Sequence, residues 1–117
     1  MAARRAGGVA SSLSSSCWGC ALAIVEDAAR RLLKALNEHQ AHGCEGTTVQ
    51  PGDREARDAR LRPGSPLYRA AVWWLLDVGA LVPDEEANER LRNAVGAQHR
   101  GFAFKMTRHG LDMLRGA

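Results

Sequence analysis

The sequence predicts a mainly α-helical domain with a small β-sheet, which places it in the α+β class. Long stretches repeat their apolar residues with the 3.6-residue period of a helix, whereas only short stretches are β-branched or alternate in twos. Ser, Pro and Gly stand where helices begin and end. Near the C-terminus, "FAFKMTRHGLDML" changes from a period of two to a helical period. A strand that runs directly into a terminal helix accounts for this change.

Composition indicates one small globular domain. The chain has 117 residues, of which 45% are hydrophobic and 25% charged. Its 16 Lys and Arg against 13 Asp and Glu give a net charge of +3, which permits nucleic-acid binding without requiring it. No apolar run approaches the roughly 18 residues of a membrane span, so we expect no membrane association. Three Cys, an odd number, favour a reducing compartment, and we predict a cytoplasmic location.

The first twenty residues differ from the rest of the chain. "MAARRAGGVASSLSSSCWGC" is rich in small residues and Ser and contains no acidic residue. We predict a disordered tail over 1–20 and one domain over 21–117. Gly and Ser interrupt the apolar core that a signal peptide requires. An organellar transit peptide and an over-extended gene start both remain open alternatives for this segment.

The sequence of the first half of the domain predicts two helices and one strand. "ALAIVEDAARRLLKALNEHQ" is a helix over 21–40, and "TTV" at 47–49 is a short strand. A short charged helix with Asp53 as its N-cap runs to Arg60, where "RPGSP" ends it. The first helix should bury one stripe of residues: Leu22, Val25, Ala29, Leu32, Leu33 and Leu36.

A well-delimited helix follows from Pro66 to Val78. Ser65 is its predicted N-cap, Pro66 its first residue, and Gly79 its stop. Trp74 should be buried and Trp73 more exposed, because only Trp74 shares the predicted core stripe, formed by Leu67, Ala71, Trp74, Leu75 and Val78.

Two strands and two helices complete the prediction. Leu81 and Val82 form a strand, and Asp84 caps a helix that ends at Gly96. The last strand covers 102–106, and Thr107 caps the terminal helix. The apolar residues expected on these two helices are Ala87, Leu91 and Val95 on the former and Leu111, Met113 and Leu114 on the latter.

This order of elements describes a winged helix-turn-helix. "AAVWWLLDVGALVPD" and "RGFAFKMTRHGLDML" resemble the second half of bacterial winged-helix regulators. The resemblance implies non-enzymatic binding of double-stranded DNA in transcriptional regulation, and a possible homodimer through the first and last helices. Two features depart from the family. The segment 84–101 looks helical where a wing is usually a tight basic hairpin, and the recognition helix carries Trp73, Trp74 and Asp77.

The docking geometry of a helix-turn-helix assigns DNA-binding roles to six residues. Arg60 and Arg62 would bind phosphate, and Arg69 would contact a base edge with two hydrogen bonds. Three more residues would face the major groove of the DNA: Ser65, Tyr68 and Trp73.

Each of these assignments has a simpler alternative. The acidic residues Asp53, Glu55 and Asp58 could pair with the arginines, which would leave an ordinary solvated surface. Tyr68 and Trp73 could pack on neighbouring helices.

Other classes of function have less support. A winged-helix protein-interaction module that presents Trp73 and the 84–95 helix is the main alternative, and an enzyme subunit without its own active site is a third. The chain has no phosphate-binding loop and no nucleophile motif, so we predict no catalytic residues. We also predict no metal and no cofactor, because the Cys-x-x-Cys pair lacks a matching second pair. The side chains that could serve as zinc ligands are Cys17, Cys20, His39, His42 and Cys44.

Overall fold

The computed structural model describes residues 12–95 and 103–116. Within these ranges the chain is mainly helical with one small antiparallel sheet, as the sequence predicts. The elements, in chain order, are α1 (Ser12–Leu36), a π-helical turn (Asn37–Ala41), β1 (Thr48–Val49), α2 (Asp53–Asp58), α3 (Pro66–Asp77), β2 (Leu81–Pro83), α4 (Glu85–Val95), β3 (Phe104–Met106) and α5 (Arg108–Gly116).

The first helix is longer than predicted. It begins at Ser12, inside the segment 1–20 assigned to a tail, because that segment contains no Pro to stop the helix. Residues 1–11 of the predicted tail lie outside the described residues. The core stripe is confirmed from Ala29 to Leu36, but it is wrong at Leu22, which is 59% exposed. This part of α1 extends past the elements on which its C-terminal half packs.

The core forms where α1 crosses α3. α1 packs mainly on α3 and also contacts α2 and α5. On α3, Ala71 and Leu75 are fully buried, whereas Leu67 and Trp74 are only partly buried. Val78 is exposed, so its predicted place in the core is wrong, because the helix has already ended at Asp77. The largest fully buried side chains are Leu32, Leu33, Leu36, Leu75, Leu81, Met106 and Val49.

Three of the four predicted N-caps are confirmed. The Ser65 and Thr107 hydroxyls accept hydrogen bonds from Tyr68 N–H and Gly110 N–H, and Asp84 Oδ1 accepts one from Ala87 N–H. The cap at Asp53 is wrong: Gly52 holds that position, without a side-chain hydrogen bond. The Asp53 carboxylate lies instead 3.9 Å from the Arg57 guanidinium, within the helix. α2 ends at Asp58, two residues before the predicted Arg60, whose φ of 62° is left-handed.

The three strands form one antiparallel sheet in the order β1-β3-β2. Phe104 of the central strand lies opposite Val49 of β1 and Pro83 of β2. β2 is an edge strand, which is where a sheet tolerates Pro, since Pro cannot donate to the ladder. The predicted alternation in β3 is confirmed, because Phe104 and Met106 are buried and Lys105 is exposed.

Candidate nucleic-acid interface

A seven-residue turn, 59–65, connects α2 to α3 and sets the direction of the arginines around it. The backbone N–H of Leu61 donates to the carbonyl of Ala56 at 2.8 Å, and the Leu61 side chain is buried. Arg60 and Arg62, on either side of this anchor, are both exposed. The turn closes where Ser65 N–H donates to the Arg62 carbonyl at 3.0 Å. One buried Leu therefore holds two neighbouring guanidinium groups at the surface.

The acidic residues near this turn have other partners. Asp53 lies near Arg57, and Glu55 lies 3.5 Å from Arg54. Asp58 forms a hydrogen-bonded pair with His39, in the π-helical turn that follows α1. In the described part of the chain, no carboxylate lies within 4.0 Å of the three other arginines of this region, which are Arg60, Arg62 and Arg69.

Glu55 stays ionised despite its burial. Burial by itself would raise the pKa of this carboxyl. Hydrogen bonds from Gln40 and from its own backbone, together with the charge of Arg54, outweigh that effect and lower the pKa overall. Glu55 is therefore ionised at neutral pH, and its carboxylate lies beside Arg54.

The outward face of α3 changes character along its length. Near its start, Arg69 is exposed and Ser65 is engaged as the cap. Tyr68 is half-buried, and its pKa is raised by burial and by the nearby charges of Asp53 and Glu55, so the phenol keeps its proton.

One turn later this face becomes apolar. Trp73 is 69% exposed there. The face therefore presents a cation first and an aromatic ring next.

An open groove lies beside this apolar part of α3. It encloses about 670 Å³ between α3 and the edge of the sheet. Val72, Trp73 and Leu76 form the helical wall, and Pro83 and Phe104 form the opposite wall. This groove is not among the features predicted from the sequence. The sequence does indicate an additional apolar surface on this helix, because "AAVWWLL" is apolar on more sides of the helix than one core stripe needs.

α4, which lies between β2 and β3 in the chain, is fixed beside the start of β3. The Asn88 side chain donates to the Ala103 carbonyl at 3.1 Å and accepts from the Ala103 N–H at 2.8 Å. Asp84 N–H also donates to that carbonyl. Glu85, Glu86 and other charged residues of α4 are exposed. This helix therefore presents both acidic and basic side chains, such as Glu89 and Arg92, to solvent.

Metal ligands do not converge in the described part of the chain. There, no group of three or more His, Cys, Asp or Glu side chains is placed to hold an ion. His42 and Cys44 are exposed after the π-helical turn, and His39 is paired with Asp58. The side chains of Cys17 and Cys20 lie outside the described residues.

No described helix is both long enough and apolar enough to cross a membrane. Comparison with known proteins found no matching family model, no matching curated protein and no matching solved structure.

Proposed function

We propose that the chain is a cytoplasmic winged-helix protein that binds double-stranded DNA without catalysis, most simply in transcriptional regulation. One observation carries the proposal: three exposed arginines surround the start of α3 and have no carboxylate partner among the described residues, namely Arg60, Arg62 and Arg69. The alternative of a self-neutralised surface is weakened, because the nearby acids pair with other residues. Phosphate oxygens are the partners that such unpaired guanidinium groups bind well.

The topology supports the winged-helix part of the proposal. α2 and α3 follow each other through the seven-residue turn 59–65, which is longer than the roughly three or four residues usual in a helix-turn-helix, and α1 packs on both helices. The sheet order β1-β3-β2 brings the strand after α1 and the two strands after α3 together, which is the arrangement expected of a winged helix.

In the proposed complex, the first turns of α3 enter the major groove. Arg69 lies one turn after the Ser65 cap, so its guanidinium can reach the O6 and N7 acceptors of a guanine. Arg60 and Arg62 lie before the cap, where only the DNA backbone is near, and they bind phosphates. Tyr68, Ser65 and Trp73 complete the surface that faces the duplex.

The acidic residues of α4 limit this contact, although the helix also exposes Arg90 and Arg92, and the Arg90 guanidinium lies 3.8 Å from the Glu86 carboxylate. Glu85, Glu86 and Glu89 are exposed where the wing of a DNA-binding protein would approach phosphates. We therefore assign the DNA contact to α3 and the turn before it, not to a wing. A contact with few phosphates implies a shallow dependence of affinity on salt.

A titration of labelled duplex against salt concentration tests the proposal. We expect Arg62→Ala to weaken all sequences alike and to reduce the salt slope by about one unit. Arg69→Ala should instead weaken the preferred sequence, selected from a random pool, by about 1–3 kcal/mol. The matched control is Arg57→Ala, which removes the same charge from a guanidinium already paired with Asp53. Failure of the protein to retain any duplex at low salt would refute DNA binding.

A second function is favoured by the exposed indole of Trp73. A winged-helix protein-interaction module would present this side chain and the α4 surface to a protein partner, since exposed aromatic residues are frequent anchors of interfaces. A homodimer through α1 and α5 is compatible with either function, because α1 leaves Leu22 and Ile24 exposed. Sedimentation velocity over a range of concentrations tests the homodimer.

A further inference from the structure

The groove beside α3 combines an apolar lining with one charge. Arg69 is the sole charged residue among the described side chains that line it. Aromatic rings come from both walls, with Tyr68 and Trp73 on α3 and Phe104 on β3. Its volume of about 670 Å³ falls within the range typical of small-molecule sites.

The sheet side of the groove and the backbone at the start of α3 are held in place before any ligand arrives, whereas the Trp73 and Arg69 side chains are exposed. Phe104 is 5% exposed and lies on the central strand. Asn88, on the same side, is fixed by its two hydrogen bonds to Ala103. The backbone of Tyr68 is fixed by the Ser65 cap. Because these groups are already ordered, a ligand that contacts them loses no binding free energy in ordering them.

We propose that this groove binds a small planar organic anion, such as an aromatic carboxylate. The ring would lie against Trp73 and Phe104, and the carboxylate would accept hydrogen bonds from the Arg69 guanidinium. Charge complementarity selects this ligand class, because no described carboxylate neutralises Arg69. A cation or an elongated neutral molecule would leave that charge without a partner at the groove.

Occupancy of the groove would also compete with DNA. Arg69 and Trp73 cannot contact a ligand in the groove and a duplex at the same time, so the anion would release the protein from DNA. This regulatory consequence rests on the proposed function, whereas the binding of the anion does not.

The probe is 2-naphthoate, titrated by calorimetry into the full chain without DNA. We expect a Kd of about 1 mM, in keeping with the small size of the probe. The neutral analogue 2-naphthalenemethanol should bind about tenfold more weakly, since it lacks the charge-assisted hydrogen bonds. Arg69→Gln should weaken naphthoate about tenfold, with thermal midpoints confirming that the variant is folded. The control Arg57→Gln removes the same charge outside the groove and should bind naphthoate like the unmodified chain.

Three outcomes would overturn the binding proposal. The first is equal affinity for naphthoate and its alcohol, and the second is unchanged affinity in Arg69→Gln. The third is a concentration-dependent dimer, seen by sedimentation, that Trp73→Ala abolishes, because the groove would then be covered by a second copy. If naphthoate binds but does not displace bound duplex, competition between the anion and DNA is refuted, and the proposed anion site is still supported. If no duplex binds at all, the proposed function fails and the calorimetric result is unaffected.

Discussion

At the scale of single residues, two adjacent tryptophans show how one helical step changes an environment. Trp74 is half-buried against the core, and the Arg30 guanidinium lies 6.0 Å from its ring centroid. Trp73 is 69% exposed at the edge of the groove. The predicted difference between them is confirmed in direction, although Trp74 is only partly buried.

Iodide quenching of fluorescence should separate the two side chains. Trp73→Phe is expected to remove more of the readily quenched emission than Trp74→Phe does, since iodide reaches an exposed indole. Trp74→Phe should leave that component largely in place. The third tryptophan, Trp18, contributes equally to both variants and cancels in the comparison. Equal loss of quenching in the two variants would contradict the assignment.

At the scale of elements, α5 is attached to the α3–β2 connection by close backbone contact. The Thr107 hydroxyl donates to the Gly79 and Ala80 carbonyls and accepts from Gly110 N–H. A Cβ added to Gly110 would lie 2.5 Å from the Ala80 carbonyl oxygen, which is backbone and cannot easily move. Gly110 is therefore required by close approach.

Gly110→Ala should lower the free energy of unfolding by about 1–3 kcal/mol, because the helix must shift away from β2 to accept the methyl group. Urea denaturation measures the change. Gly116→Ala is the matched control, since nothing lies within 4 Å of its added Cβ. Its effect should stay within about 0.5 kcal/mol. Equal effects in the two variants would refute the close contact.

The start of α4 is joined to β1 by a buried carboxylate. The hydrogen bond from the Thr48 hydroxyl at 2.5 Å is the main cause that lowers the pKa of Asp84, followed by the bond from Ala87 N–H. A lowered pKa in the folded state stabilises the protein above the carboxyl's ordinary pKa. That contribution is lost as the pH falls through the lower folded-state pKa.

Asp84→Asn should therefore flatten the acid end of the stability profile. Below about pH 4, the free energy of unfolding of the unmodified chain should fall more steeply than that of the variant. Urea denaturation between pH 7 and pH 2.5 measures both profiles. Asp112→Asn, at an exposed carboxylate, should retain the slope of the unmodified chain. Parallel profiles for Asp84→Asn and the unmodified chain would refute the role of this pair.

At the scale of the whole molecule, the N-terminal part of α1 contributes little to the core. Residues 21–24 are exposed, and Ala28 is the first buried residue among the described side chains of α1. A truncation that starts at Cys17 should therefore keep the thermal midpoint of the full chain. Calorimetry or circular dichroism measures it. A drop of many degrees would show that the removed residues pack on the domain.

Much of the fold follows from local sequence signals. Helical periodicity and the caps at Ser65, Asp84 and Thr107 located α3, α4 and α5, because a cap depends on one side chain and an amide three residues away. Local signals failed where burial depended on distant neighbours. Leu22 fits the helical stripe as well as Leu36 does, but no part of the described chain packs over it.

The sequence by itself determined the α+β class, the order of the elements and the cluster of arginines around one turn. Only the tertiary structure decided which of these arginines lack acidic partners, because Asp58 pairs with His39, 19 residues away, and not with a neighbour on its own helix. The groove also exists only in the tertiary structure. Its walls come from α3 and β3, which α4 separates in the chain. Helical and strand periods depend on near neighbours, whereas charge pairing and cavities depend on distant segments that meet only after folding.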